Sequence, residues 1–156
     1  MNRVGIVAFS FALREEEPNP CNIRLAKEVK KAVSRYPDAL IVCQWEVGIA
    51  VAEGGYLPVR IIGPFSGVYL DSETVWQGAM MDLWREGITD VIPIAQPFLH
   101  LTKVKRMIRK SGFNVVPWKV PWIGFDNDPR NTQEWTKGPL RLLIYALKQL
   151  LLRSKG

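Results

Sequence analysis

The chain has 156 residues, 47% hydrophobic and 23% charged, with 21 Lys and Arg against 15 Asp and Glu for a net charge of +6. That length predicts one domain over residues 1–156, and that composition excludes a disordered, collagen-like or coiled-coil chain. No apolar run reaches the roughly 18–20 residues a membrane span needs, and the two cysteines, Cys21 and Cys43, are too few for a disulfide scaffold and read as free thiols of a cytoplasmic protein.

The first apolar run, Val4 to Phe11, is expected to be a buried strand. It turns polar at Arg14 without a small-residue cleavage site, so it does not read as a signal peptide. A charged, proline-punctuated loop from Arg14 to Pro20 follows. Ile23, Ala26, Val29, Val33 and Tyr36 then fall at helical spacing, and Pro37 marks the stop. Ala39–Cys43 and Val59–Ile62 are the second and third strands. Between them, residues 44–58 contain Gly48, Gly54 and Gly55 and are barely long enough for a crossover, as a short helix or an irregular loop.

Asp71 and Ser72 are good caps for a helix carrying Val75, Trp76, Ala79, Met80, Leu83 and Trp84 on one face, with Gly87 past its end. Val91–Ile94 is the fourth strand, and Pro93, which lacks a donor, predicts an edge position or a bulge. The next helix runs from about Thr102 to Lys110, with Leu101, Val104, Met107 and Ile108 inward and Gly112 at its end. Asn114–Val116 is the fifth strand. The tryptophan-rich segment from Trp118 to Trp135 is expected to cross one end of the sheet as a long loop with its own small core. The last helix starts after Gly138-Pro139 and is more apolar than one buried stripe requires. It is read as a structural helix covering one face of the sheet. A homo-oligomer contact and an interfacial lipid helix over Leu140 to Lys155 are the alternatives.

Strands and helices alternate, and the strands are continuous apolar runs. The fold class predicted is therefore α/β, a three-layer, Rossmann-like sandwich on a mainly parallel sheet of about five strands. Ligands of such sheets bind beyond the carboxyl ends of the strands. Here those ends carry Ser10 and Arg14, then Gln44, Trp45 and Glu46, then Ser66, Asp71, Ser72 and Thr74, then Gln96 and His100. His100 is the lone histidine. Its ordinary pKa suits proton transfer, and a helix N-terminus beside it favours a bound anion over imidazolium.

The net positive charge is local. From Val91 to Phe125 there is no acid, but there are Lys103, Lys105, Arg106, Arg109, Lys110 and Lys119. Without aromatics between the charges this reads as a solvated helix face before it reads as a nucleic-acid surface. One histidine and two distant cysteines give no zinc spacing, and a carboxylate site for magnesium through Glu46, Asp71 or Glu73 stays open with no motif to specify it, so no metal ligand is assigned. The glycine-rich phosphate loops and the GxSxG elbow are absent from the sequence.

The segment VIPIAQPFLHLTKVKRMIRKSGFNVVPW, residues 91–118, resembles the SanA/YdcF/ElyC family of bacterial proteins (vancomycin high-temperature exclusion protein-like). The family has an apolar strand ending in Thr-Ser, then His-x-x-Arg, a glycine twelve residues after the histidine, and Asn-Val-x-Pro. His100, Gly112 and Asn114-Val115-Val116-Pro117 keep that pattern, Lys103 stands in place of the arginine, and Ala95-Gln96 stand near the Thr-Ser. Thr74 and Ala79 match the family's Asn-Thr-x-x-Glu-Asn-Ala box, in which Gln77 replaces the acid and Gly78 an asparagine. Arg24-Leu25 looks like the family's Arg-Leu, while Gln44-Trp45-Glu46 replaces its Ser-Gly-Gly. The resemblance implies the fold, a link to cell-envelope processes, and a cleft of the kind that binds S-adenosylmethionine in some members.

The expected function is a small-molecule site for an anionic, nucleotide-like or phosphorylated ligand, S-adenosylmethionine or a nucleotide among them. Hydrolase or transferase chemistry would use His100 as acid or base with Glu46 as its partner. Ser10, Arg24, Gln44, Thr74, Gln77, Gln96 and Lys103 would bind the ligand, Lys103 and the helix N-terminus holding its negative group. The alternative is a non-catalytic interaction or oligomerisation module related to envelope processes, which has lost that site along with the Ser-Gly-Gly.

Overall fold

The computed structural model describes residues 3–14, 18–55, 59–65 and 70–153; Ser66 and Lys155 lie outside them. In chain order the elements are β1 (Val4–Ala8), α1 (Pro20–Arg35), β2 (Leu40–Gln44), α2 (Trp45–Ala52), β3 (Val59–Ile62), α3 (Ser72–Arg85), β4 (Asp90–Ile94), α4 (His100–Lys110), β5 (Asn114–Val115) and α5 (Pro139–Arg153), with a 3-10 turn at Glu134–Thr136. The five strands form one parallel sheet in the order β3-β2-β1-β4-β5.

The chain steps outward from β1 to β3 and then returns past β1 to β4. Right-handed crossovers therefore put α1 and α2 on one face and α3 and α4 on the other, which makes the α/β sandwich. β1 and β2 are buried at every position, as their unbroken apolar runs require between two helical layers. Residues 44–58 resolve their alternative as the eight-residue helix α2, with residues 56–58 outside those described. β3 and β5 are the edges, and β3 is only partly buried, Ile61 being 45% exposed.

Local signals in the sequence account for the helix ends. Asn19 caps α1 by accepting from the Asn22 N–H at 3.0 Å, and Asp71 caps α3 by accepting from the Thr74 N–H at 2.7 Å. Gly5 marks a close approach of sheet and helix. A Cβ there would lie 2.2 Å from Leu83 Cδ2, so β1 and α3 meet across a position that only hydrogen fills.

Pro93 does not place β4 at an edge, since β4 lies between β1 and β5. Alternate residues of a strand turn their backbone groups to the same neighbour. The Val91 carbonyl accepts from the Val116 N–H at 2.8 Å, so residue 93 also faces β5, whereas Ile94 faces β1 and accepts from the Phe9 N–H at 2.9 Å. Proline has no N–H to continue the β5 ladder, and that pairing ends at Val91 with Val115. The missing donor shortens the neighbouring strand instead of exposing its own.

Residues 118–135 do run as a long irregular segment, held by polar bonds as well as rings. Arg14 Nε donates to Asp126 Oδ2 at 2.7 Å, and both side chains are largely buried. Asn131, 1% exposed, donates to the Asp126 carbonyl and to Thr136 Oγ1 while accepting from the Leu13 and Gln133 N–H groups. Phe125 packs edge-on against Phe11, Phe98 and Trp122. Trp122 itself remains 62% exposed.

The last helix departs from expectation. It does not cover a face of the sheet. α5 packs on the 3-10 turn, with Leu142 buried and Tyr145 stacked on Trp135 at 4.8 Å. Leu140, Leu143, Ile144, Leu147, Leu150, Leu151 and Leu152 are all exposed. Both faces of the sheet already carry helices, so no apolar face remains for α5 to cover.

Candidate functional site

The strand order reverses between β1 and β4, and the crevice beyond their carboxyl ends is where open α/β sheets bind ligands. Residues 9–12 and 95–99 flank it. The side chains at this end form two groups.

The first group sits at the ends of β1 and β2. The Ser10 N–H donates to Gln44 Oε1 at 3.0 Å, and the Ser10 hydroxyl donates to Glu46 Oε2 at 2.7 Å. Gln44 Nε2 donates to Glu46 Oε1 at 3.4 Å and to the Leu70 carbonyl at 3.5 Å. Gln44 and Glu46 are buried. Glu46, in the first turn of α2, thus turns its carboxylate inward, where Ser10 and Gln44 donate to it, as a buried charge requires.

The second group lies where α3 and α4 begin. Ser72 and His100 are the first residues of these helices, and Ser72 Oγ is 2.9 Å from His100 Nε2. Two helix N-termini therefore converge on one hydrogen bond, and their dipoles add a positive potential there. Phe9 and Phe11 lie against the imidazole, with ring centroids 6.1 and 6.3 Å away. Burial pushes the His100 pKa down to about 4, and the nearby charge of Lys103 acts in the same direction. His100 is therefore neutral at pH 7. Its Nδ1 is buried with no hydrogen-bond partner among the described residues. If Nε2 accepts the serine proton, Nδ1 carries the imidazole hydrogen. The pair then has the nucleophile-and-base geometry of a serine dyad, without a carboxylate to orient the ring.

Carboxylates surround the cation at this site. Lys103 Nζ is 4.0 Å from Glu73 Oε1, both side chains being about half exposed. Burial works to raise the pKa of Asp71, but its hydrogen bonds from Thr74 and the charge of Lys103 hold it below the usual range. Lys103 thus faces two acids, which offset its pull on an added anion.

The other expected residues are dispersed. Thr74 turns its N–H to the Asp71 cap, and Gln77 is exposed one turn beyond Glu73. Gln96 is fully buried; its Oε1 accepts from the Phe98 N–H at 2.9 Å, and its Nε2 has no partner among the described residues. Arg24 belongs to neither group. Its Nη1 donates to the Ile123 carbonyl at 2.6 Å and ties α1 to the irregular segment. Glu46 bonds to Ser10 and Gln44, and the hydrogen bond to His100 comes from Ser72 instead. The sequence places Ser72 among the polar residues at the strand ends and as a helix cap, without assigning it to His100. The signal for its second role is topological: it follows β3, His100 follows β4, and α3 and α4 share a face.

The crevice between the two groups is lined with rings. Phe9 is 0% and Phe11 4% exposed, and Ala12, next in the chain, adopts a left-handed φ of 67°. Asn19 and Asn22 hold that turn by donating to the Ala12 carbonyl at 3.1 and 3.4 Å. A separate recess of about 390 Å³ lies between Glu28, Lys31 and Arg35 of α1 and residues 117–121. It contains none of the residues above. Among the described residues no His, Cys, Asp and Glu cluster fits a metal ion. No family model, curated protein or solved structure matched the chain.

Proposed function

We propose that this α/β domain binds a small polar molecule at the junction of α3 and α4, with hydrolase- or transferase-type chemistry centred on Ser72 and His100. The observation that carries the reading is the 2.9 Å Oγ–Nε2 contact at two converging helix N-termini. A neutral imidazole takes a proton from the serine, or from a substrate hydroxyl in its place, and the helix dipoles stabilise the negative charge that develops. Asp71 and Glu73 oppose a multiply charged group, so the ligand part that enters is a single anionic or strongly polar group, such as one end of a nucleotide or of S-adenosylmethionine.

Thermal-shift titrations with nucleotides, sugar nucleotides and S-adenosylmethionine test this, beside turnover of p-nitrophenyl esters and phosphates. The expected result is a shift or a turnover that Ser72→Ala and His100→Ala each abolish. Absence of both in the wild type, or their persistence in the variants, rejects the site. One observation favours a second reading, a non-catalytic interaction module: Phe9, Phe11 and Phe125 fill the crevice in which α/β folds hold their ligands.

A further inference from the structure

We infer that α5 is a membrane-surface helix whose outward face docks on an anionic lipid bilayer. The helix has two apolar sides with different fates. Leu142 and Tyr145 face the protein and fix α5 on the turn at Glu134–Thr136. Leu140, Leu143, Ile144, Leu147, Leu150 and Leu151 recur at spacings of three and four, and all are exposed. At 3.6 residues per turn they form one stripe of about 120° on the side opposite Leu142, running about 17 Å along the axis.

Charge selects the occupant. From Thr136 to Gly156 the sequence has no acid, but it has Lys137, Arg141, Lys148, Arg153 and Lys155; Glu134, just before the helix, pairs with Lys137 and Arg141, so the net positive charge of α5 comes chiefly from Lys148 onward. Arg141 and Lys148, two turns apart, lie along one flank of the stripe, and both are exposed; Arg141 shares its charge with the exposed Glu134, which leaves Lys148, among the described residues, as the base of that flank free to meet a headgroup. A stripe of leucines flanked by bases is the pattern of a helix lying in a lipid interface, its side chains in the acyl boundary and its bases among anionic headgroups. A second copy of the chain fits less well. Two such helices would bring together flanks of one sign, without the opposite charges that border a paired-helix seam. With 15 residues α5 lies on the surface and does not span, and no described helix is long and apolar enough to cross a membrane.

The test is flotation of the full chain with vesicles of phosphatidylcholine alone and with vesicles in which phosphatidylglycerol makes up about a third of the lipid. Light scattering in lipid-free buffer accompanies it. The wild type is expected to float with the anionic vesicles only, and less at high salt. The double variant Leu143→Glu/Leu147→Glu, at two exposed positions, should keep its circular dichroism and lose at least tenfold in bound fraction. Lys148→Glu should weaken binding several-fold while leaving the stripe in place. Equal recovery on both vesicles, undiminished binding by the double variant, or a lipid-free dimer that the double variant dissociates would overturn the inference, the last by assigning the stripe to a second copy.

Discussion

Ser72 and His100 are 28 residues apart and joined by a 2.9 Å hydrogen bond, each being the first residue of its helix. The contact follows from the topology. β3 and β4 are separated in the sheet by β2 and β1, yet the helices that follow them lie on one face and start at one end. A histidine in that position is buried beside two phenylalanine rings, with the charge of Lys103 nearby, and burial first and Lys103 second disfavour imidazolium.

Stability should therefore depend on pH through His100. Its folded pKa of about 4 lies below the ordinary value of 6.5. Between these values the unfolded chain binds a proton that the native chain does not, so stability falls on acidification from about pH 6.5 to about pH 4. Above that window both states are neutral and the histidine contributes no slope. The loss across the window is at most roughly 3 kcal/mol. Urea unfolding at several pH values should show this slope in the wild type and a flatter profile in His100→Gln. An imidazole that titrates near 6.5 by NMR would contradict the burial of the ring.

The sheet was legible in the sequence because burial on two faces demands unbroken apolar strands, and four of the five runs stand within a residue or two of their expected bounds. Asp71 and Pro37 marked helix ends through backbone chemistry alone. The partners of polar groups were less legible. Glu46 and His100 follow β2 and β4, on either side of β1 at the same sheet end, but which of them meets Ser10 or Ser72 depends on side-chain reach across elements, and periodicity carries no such information. The placement of α5 failed for a different reason. A helix apolar nearly all round looks the same in sequence whether protein covers both its sides or only one.

Asp126 should be more important for stability than its place in an irregular segment suggests. It is 5% exposed and meets the guanidinium of Arg14, itself largely buried, while Asn131 donates to its backbone carbonyl. Asp126→Ala removes the nearer of two counter-charges and leaves Arg14 with Asp128, 3.2 Å from its Nη1. A loss of roughly 2 kcal/mol is expected, less than the ~3 kcal/mol of a buried charge left without any partner, because Asp128 remains. Denaturant titration measures it, and a loss below about 1 kcal/mol, the range of exposed pairs, would show that the bridge is solvated.

Gly5→Ala should destabilise the domain although alanine favours ordered backbone. The added methyl would come within 2.2 Å of Leu83 Cδ2, and Leu83 is fully buried. Overpacking of this kind costs about 1–3 kcal/mol. The double variant Gly5→Ala/Leu83→Ala returns space to the methyl. Its loss should be smaller than the sum of the two single losses, a coupling that a double-mutant cycle reads directly.

Removal of α5 separates a structural helix from a surface one. A helix that covered the sheet would leave its apolar face bare when cut away, and the remainder would unfold or aggregate. Here α1 and α2 cover one face, α3 and α4 the other, and α5 contributes Leu142 and the Tyr145 ring against Trp135. Truncation after Gly138 should therefore leave a cooperative α/β core with its far-ultraviolet signal reduced only by the lost helix. The melting temperature should drop by a few degrees, as expected for the loss of one buried leucine and one ring contact. The truncated chain should also be more soluble than the full one, because seven exposed large apolar side chains leave with the helix. A truncate that loses its cooperative transition would show that α5 holds the sheet together after all, and its leucine stripe would then need a partner within the same fold.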